Sequence, residues 1–137
     1  MEPQQKSYTG TSSIPLRITY VLLILLGVFQ LALIFGVPWG HAAWGGQYRV
    51  LPKLYRFGSV SSIGLYCLFA WILRRRERHP EYKFPKVASW VLVGYSVMGI
   101  IANSASSSRY ENFIWAPVSL VLTMCMVLIA RGRAHHQ

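Results

Sequence analysis

Four stretches that contain no Asp, Glu, Lys or Arg restrict the possible folds of this chain more than any other feature. They are residues 18–36, 57–73, 87–108 and 112–130. Each offers about 17 to 20 mostly apolar residues, which at about 1.5 Å per residue matches the roughly 30 Å hydrocarbon core of a bilayer. None shows the period-two alternation of a barrel strand, and in lipid a helix satisfies its own backbone hydrogen bonds. The sequence therefore predicts an all-α fold.

We expect a polytopic membrane protein whose four transmembrane helices form an antiparallel bundle. Charged residues make up 13% of the chain, against roughly 25% in soluble domains, which agrees with a lipid environment. The first apolar run is longer than the roughly 7 to 15 residues of a signal-peptide core, so it is predicted to remain as a span. The predicted segments are a polar tail at 1–17, spans at about 18–36, 57–73, 87–104 and 113–130, and a second tail at 131–137.

The distribution of basic residues predicts the orientation of the bundle. If the four spans cross the membrane in alternating directions, the two tails and the connection between spans two and three share one side of it. Basic residues concentrate on the cytoplasmic side, so both termini are predicted to be cytoplasmic, facing an anionic inner leaflet of a cell or inner membrane. Ten of the fourteen Lys and Arg residues lie in these three segments, namely Lys6, Arg17, Arg74, Arg75, Arg76, Arg78, Lys83, Lys86, Arg131 and Arg133.

A net charge of +10 would favour nucleic acid as the partner of a soluble protein, but here the positions of the charges are more informative. The densest cluster, RRRERH at residues 74–79, directly follows span two, as expected at an anionic leaflet. We therefore predict no nucleic-acid binding. Cys67 and Cys125 fall inside spans as packing residues, and no spacing of ligating residues predicts a disulfide, a metal or another cofactor.

The sequence GVPWGHAAWGG, which begins at Gly36, follows the first span directly. Gly36 suits the left-handed conformation that ends many helices, and Pro38 cannot continue one. Trp39 and Trp44 are then predicted at headgroup depth, together with Trp115 at the outer start of span four.

About twenty residues, 37–56, connect spans one and two. Unstructured connections of that length are uncommon unless they are functional or disordered, and the aromatic residues of this one favour packing on a surface. We expect it to lie over the outer mouth of the bundle, which makes it the best candidate for a site.

Candidate site residues come from this connection and from the ends of spans three and four. Proton transfer needs titratable groups held close together, and His41 and Glu111 are the candidates for it. Glu111 also suits the positive N-terminal end of span four, and a salt bridge to Arg56 is an alternative role. The candidate binding residues are Trp39, Trp44, Arg49, Arg56, Asn103, Arg109 and Trp115.

Several short motifs support a resemblance to a known group of proteins. They are Gly36-x-Pro38-Trp39-Gly40, Gly45-Gly46, Leu51-Pro52, Arg56, Arg109-x-Glu111 and Trp115-x-Pro117-Val118. This pattern resembles a family of small, uncharacterised, mostly bacterial four-helix integral membrane proteins, over nearly all the chain from the first span onward. The resemblance implies a fold and a topology, and it implies no reaction or substrate.

Small and polar residues recur on one face of each predicted helix. Such groups usually face other helices, so packing inside the bundle is their expected role. Pro117 lies in the first turns of span four, where a missing N–H costs little, and is predicted to help start that helix rather than kink it. The four sets are Tyr20, Gly27 and Gln30; Gly58 and Ser62; Ser89, Ser96, Gly99 and Asn103; and Glu111, Trp115, Ser119 and Thr123.

Three functions fit these observations. No Asp, Glu, Lys, Arg or His lies near the middle of any span, although proton-coupled transporters place such groups there. We therefore expect a helix-packing or interaction component that associates with itself or with another membrane protein. The alternatives are a carrier or permeation pathway for a small neutral or lipophilic molecule, and a membrane enzyme acting on a lipid-like substrate at the outer face. A cavity beneath the outer connection would keep both alternatives open.

Overall fold

The computed structural model describes residues 12–132 of the chain. Within them, four helices are long and apolar enough to cross a membrane, and no strand is present. The helices are α1 (Ile14–Ile34), α2 (Lys53–Arg78), α3 (Lys83–Ser104) and α4 (Ala116–Arg131). The fourth of these reaches spanning length together with the helical turn before it, as Glu111–Arg131. The prediction of an all-α fold is confirmed for this part of the chain. The outer parts of both predicted tails, residues 1–11 and 133–137, lie outside the described residues.

The helices extend past the charge-free stretches that predicted them. The first begins at Ile14, inside the predicted tail, because Ser13 caps it by accepting the Leu16 N–H at 3.4 Å. The second includes basic residues at both ends, from Lys53 to Arg78. Lys and Arg are good helix formers whose long side chains reach water from a helix end. Absence of charge therefore locates the apolar part of each helix but not its ends.

The end of α1 has the geometry that the sequence predicted. Gly36 has a φ of +83°, in the left-handed region that favours glycine. Its N–H donates to the Leu33 carbonyl at 3.2 Å, and the Val37 N–H donates to the Ala32 carbonyl at 3.0 Å. These two bonds form a Schellman motif, which satisfies the last carbonyls of the helix and turns the chain across the bundle end.

The bundle has two distinct ends. We call the end that carries residues 35–52, between α1 and α2, the cap end, and the other end, where residues 79–82 join α2 to α3, the basic end. Hydrogen bonds bring helix termini together at the basic end, where the Ser13 N–H donates to Glu77 Oε1 at 2.6 Å. The apolar core fills the middle of the bundle and its basic end. Its buried members are Leu16, Leu23, Phe69, Ile72, Leu73, Leu92, Val93, Leu122, Met126, Ile129 and Ala130.

Two arginines of α2 hydrogen-bond to the C-terminal carbonyls of neighbouring helices. Arg76, 5% exposed, donates from Nε and Nη2 to the Ala130 carbonyl at 3.2 and 3.1 Å, at the end of α4. Arg56 donates from Nη1 to the Ile34 carbonyl at 3.4 Å, at the end of α1. A guanidinium there satisfies unpaired carbonyls and opposes the negative end of the helix dipole. Within the RRRERH cluster, Arg76 is therefore buried inside the protein, while Arg74, Arg75 and Arg78 are exposed.

Candidate functional site

A cavity of about 210 Å³ lies inside the bundle at its cap end. All four helices and the cap connection contribute to its wall. A cavity of about 150 Å³ in another protein is large enough to bind benzene, so this one has room for a somewhat larger small molecule. The wall consists of Leu26, Phe29, Gln30, Ala42, Ala43, Trp44, Ser62, Leu65, Tyr66, Phe69, Tyr95, Ser96, Gly99, Asn103, Glu111, Trp115, Ser119 and Leu122.

The connection between α1 and α2 covers this cavity, in the position that the sequence predicted. It folds into two short 3₁₀ turns, Gly40–Ala42 and Trp44–Gly46, and its residues 42–44 line the cavity. A small apolar cluster holds it on the bundle, because Leu33 of α1 packs with Ala43 and Leu51, all three of them buried. Burial of these side chains stabilises the connection as an ordered cap over the cavity.

Close contact between two backbone segments fixes the shape of the cap. The Gly40 N–H donates to the Arg49 carbonyl at 2.9 Å. A Cβ atom at Gly40 would lie 2.2 Å from the Tyr48 carbonyl oxygen, which is too close for any side chain. Glycine is therefore required here, where one half of the cap packs directly on the backbone of the other half.

Trp44 extends from the cap onto α2. Its backbone is left-handed, with a φ of +52°, and its ring lies against Gly58, where a Cβ atom would come within 2.6 Å of the indole. The indole also meets Tyr55 edge-on, with ring centroids 5.7 Å apart. The sequence predicted that Gly58 and Ser62 allow close approach of helices. At Gly58 the approaching group is instead the indole of Trp44.

Glu111 joins the cap to the start of the fourth helical segment. The residue is 8% exposed, and Oε1 accepts the Gly45 N–H at 3.2 Å, while Oε2 accepts a hydrogen bond from the Ser106 hydroxyl. Residues 109–110 are already helical, so Glu111 lies in the first helical turn, near its positive end, as predicted. The carboxylate thus connects residues that are far apart in sequence and borders the cavity.

Ser108 is a structural residue of the site that the sequence analysis missed. Its hydroxyl accepts the Glu111 N–H at 3.4 Å, which caps the helix that starts at residue 109, and it donates to the His41 carbonyl at 2.6 Å. A Ser followed three residues later by Glu is the capping-box pattern. That signal is visible in the sequence as Ser108-x-x-Glu111 and would have located the helix start.

A π-turn, Glu111–Trp115, precedes α4 and was not predicted. Within it the Ala116 N–H donates to the Glu111 carbonyl, five residues back. Pro117 lies in the first turn of α4, as predicted, and a proline ring crowds the carbonyl four residues before it. The wider π-turn makes room for the ring. Trp115 Nε1 donates to the Ala42 carbonyl at 2.7 Å, which gives the cap a second hydrogen bond to this segment.

Polar side chains line the cavity wall between the helices. The polar face predicted for span three packs against α4, since Asn103 Nδ2 donates to Ser119 Oγ at 3.2 Å. The Tyr66 side chain lies beside Gln30 and Ser62. Gln30 Oε1 is buried and accepts no hydrogen bond from the described residues. The cavity therefore combines apolar surface with an acceptor that lacks a donor.

Three residues of the cavity wall are exposed at the surface of the bundle. Trp44 of the cap, Leu65 of α2 and Tyr95 of α3 are 43%, 36% and 56% exposed. The cavity therefore opens on the side of α2 and α3, next to the cap. Toward the basic end the core is closed by Leu73 and Met126, both with 0% exposure. The cavity is a pocket with a lateral opening and a closed floor.

The structure assembles only part of the predicted site. Trp44, Asn103 and Trp115 line the cavity, together with the catalytic candidate Glu111. Four other binding candidates lie outside its wall. Trp39 stacks on Phe29 with centroids 6.4 Å apart, Arg49 and Arg109 are exposed, and Arg56 bonds to the Leu51 and Ile34 carbonyls.

The second catalytic candidate, His41, is exposed and does not line the cavity. Its Nδ1 donates to the Gly46 carbonyl at 3.2 Å, while Glu111 accepts the N–H of Gly45. Both side chains therefore bond to the same stretch of cap backbone rather than to each other. Among residues 12–132, Glu111 forms no salt bridge with Arg56, whose guanidinium is held by carbonyls.

No three His, Cys, Asp or Glu side chains of the described segment are grouped so that they would hold a metal ion. No family model, curated protein or solved structure matches this chain.

Proposed function

We propose that this chain is a membrane protein that binds a small lipophilic or amphipathic molecule in the cap-end cavity. The observation that carries the proposal is the lateral opening on the side of α2 and α3, beside Leu65 and Tyr95. In a bilayer, such an opening faces lipid rather than water, so molecules dissolved in the membrane reach the cavity directly. Pockets of this kind combine an apolar wall with a few polar groups that orient the ligand.

The charge distribution supports an orientation in which the cap end faces outward. Exposed basic residues concentrate at the basic end, and such residues favour the cytoplasmic side. They are Arg17, Arg74, Arg75, Arg78, Lys83, Lys86 and Arg131. In this orientation the opening lies in the outer leaflet, and the tryptophans of the cap lie at the headgroup layer.

Binding is better supported than permeation. The buried side chains of the core fill the basic half of the bundle, so the cavity does not continue to the other end. Passage of a molecule through the bundle requires a second conformation in which these side chains separate. The proposal is therefore a binding protein that takes its ligand from the membrane and holds it under the cap.

The other two predicted functions stay predictions. Self-association was expected from small and polar helix faces, but Ser96 and Asn103 contact α4 of the same chain. These residues are used within one protomer and give association no further support. An enzyme using His41 and Glu111 has no support from their hydrogen bonds, which lead to backbone groups.

A pair of leucine substitutions on α3 tests the proposal. A Cβ atom at Gly99 would face the cavity, with Ser119 Oγ 3.8 Å away, whereas Gly94 has nothing within 4 Å and lies on the exposed surface. Gly99→Leu should therefore fill the cavity, and Gly94→Leu should leave it open. Both variants add the same side chain to the same helix.

Binding is measured in lipid nanodiscs with phenylethanol, neopentylbenzene and benzyltrimethylammonium as probes. Trp44 and Trp115 fluorescence reports the ligand, with the tryptophans outside the cavity wall changed to Phe, namely Trp39, Trp71 and Trp90. We expect at least one probe to bind the parent protein and Gly94→Leu, and to lose binding in Gly99→Leu. No binding by any probe, or equal binding by both variants, contradicts the proposal.

A further inference from the structure

The cavity wall is rich in aromatic rings. Six of its residues are aromatic, contributed by α1, α2, α3, the cap and the π-turn, and they are Phe29, Trp44, Tyr66, Phe69, Tyr95 and Trp115. The face of an aromatic ring carries negative electrostatic potential and attracts cations, and several rings around one site form the cages that hold quaternary ammonium groups. An apolar molecule would pack equally well against aliphatic side chains, so the abundance of rings points to a cation.

The charges around the cavity have one sign. Among the wall residues, Glu111 is the only Asp, Glu, Lys, Arg or His, and it is 8% exposed. Twelve of the fourteen Lys and Arg residues lie within residues 12–132, and none of these twelve lines the cavity. Burying an anion there would require desolvating it without a positive partner, which is unfavourable. A cation would gain from the carboxylate, because water screens charges weakly at a buried site.

The polar atoms of the wall include acceptors with capacity to spare. Gln30 Oε1 is buried and has no donor among the described residues. Each oxygen of a carboxylate accepts more than one hydrogen bond, so Glu111 keeps capacity beyond its bonds to Gly45 and Ser106. An ammonium group in the cavity, quaternary or protonated, is attracted by the negative partial charge of these oxygens, whereas the oxygen of an ether or a ketone is repelled by them.

From these three observations we propose that the ligand is a small lipophilic cation, namely an ammonium group joined to an apolar or aromatic group. This inference rests on the proposed function and adds the charge of the ligand to it. The cavity volume of about 210 Å³ limits the ligand to a molecule with about one ring and a short substituent. Glu111 and the aromatic rings are the binding residues.

Three probes that each carry one phenyl ring and differ in charge test the inference. Benzyltrimethylammonium is a cation, neopentylbenzene is its neutral isostere, and benzoate is an anion. In nanodiscs, with empty nanodiscs as the blank for partitioning into lipid, we expect the cation to bind roughly tenfold more tightly than the neutral isostere. Benzoate should not bind.

Two pairs of variants assign the preference to the proposed residues. Glu111→Gln should weaken binding of the cation by roughly tenfold and leave neopentylbenzene unchanged. Glu81→Gln removes the same charge from the exposed connection at the basic end. It should change the binding of neither the cation nor neopentylbenzene. Tyr95 is 56% exposed, so its replacement spares the core. Tyr95→Leu should weaken binding of the cation several-fold, and Tyr95→Phe, which keeps the ring, should not.

The possible results separate this inference from the proposed function. If the neutral isostere binds as tightly as the cation, or if both Glu111→Gln and Tyr95→Leu leave the cation unaffected, the ligand is not cationic, while the cavity remains a binding site. If benzoate binds best, the inference is likewise overturned. If no probe binds the parent protein, the proposed function itself fails. If Glu111→Gln does not fold, the comparison of Tyr95→Leu with Tyr95→Phe tests the charge of the ligand by itself.

Discussion

At Gly40 the hydrogen atom that stands in place of a side chain faces the backbone of residues 48–49, and no other residue type fits there. The glycines of the cap have two different causes. Gly40 and Gly46 lie close to backbone atoms of the cap, whereas Gly45 has nothing within 4 Å and is favoured by its positive φ of +80°. In α2, Gly58 leaves room for the ring of Trp44.

We predict that Gly40→Ala destabilises the protein by about 1–3 kcal/mol. The added methyl group would overlap the backbone of residues 48–49, and displacing backbone atoms is energetically costly. Gly64→Ala is the control. Gly64 lies within α2 with nothing within 4 Å, so alanine there should be neutral or stabilising by up to about 1 kcal/mol. Thermal or SDS-induced unfolding in mixed micelles measures both. Equal stability of the two variants would show that the cap does not pack as described.

At the scale of single residues, the sequence predicted side chains with unusual local patterns. Trp44, Trp115 and Glu111 were found because aromatic residues and an isolated carboxylate are conspicuous beside a span. Gln30 and Tyr66 were not assigned to a site, since a polar residue inside a span is usually a packing residue. Nothing in their spacing shows that they border a cavity, because that depends on how four helices pack.

Among the elements, α2 is tied to neighbouring helices at both of its ends by arginine side chains. Arg56 holds the end of α1 near the cap, and Arg76 holds the end of α4 at the basic end. Both use the planar fork of the guanidinium, which lysine lacks. The sequence analysis gave Arg56 as a binding candidate or a salt-bridge partner of Glu111, and Arg76 as one member of the basic cluster after span two. A one-dimensional pattern does not reveal which basic side chain turns inward.

We predict that Arg56→Met lowers the free energy of unfolding by about 2 kcal/mol, since two hydrogen bonds from a charged donor are lost and two carbonyls are left unpaired. Arg56→Lys should recover little of the lost stability. Arg49→Met provides the comparison, because that side chain is exposed and its removal should change stability by less than about 0.5 kcal/mol. The SDS unfolding titration measures the stability of each variant. If Arg56→Met is as stable as the parent protein, the capping role of Arg56 is ruled out.

Element ends and irregular turns were the features least accessible from the sequence. The left-handed end of α1 was predicted because glycine followed by proline has a local cause at Gly36. The π-turn before Pro117 was not, since proline in a first turn is compatible with an ordinary helix start. The π-turn makes room for the Pro117 ring, and its residues Glu111 and Trp115 bond to the cap, which is distant in sequence.

At the scale of the whole molecule, the four apolar stretches were sufficient to predict four helices, because hydrocarbon leaves a chain few alternatives. The cavity was not predictable in the same way. It arises where polar and small residues of α3 and α4 face aromatic residues of α1 and α2 beneath the cap, and only the assembled bundle brings these faces together.

Cysteine labelling tests the orientation of the whole bundle. In a background with Cys67 and Cys125 changed to Ala, we predict that His41→Cys reacts with a membrane-impermeant maleimide on intact cells. Glu81→Cys should react only after the cells are permeabilised, because it lies at the basic end. Both positions are exposed, so accessibility within the protein does not limit either reaction. The reverse pattern would place the cap inside the cell.

The buried bonds of Arg76 have a mechanical consequence. They fasten α2 to α4 at the basic end, whereas at the opposite end the cap is joined to residues 108–115 by the bonds of Ser108, Glu111 and Trp115. Loss of the three cap bonds would therefore loosen the wall around the cavity while the attachment of α2 to α4 stayed intact.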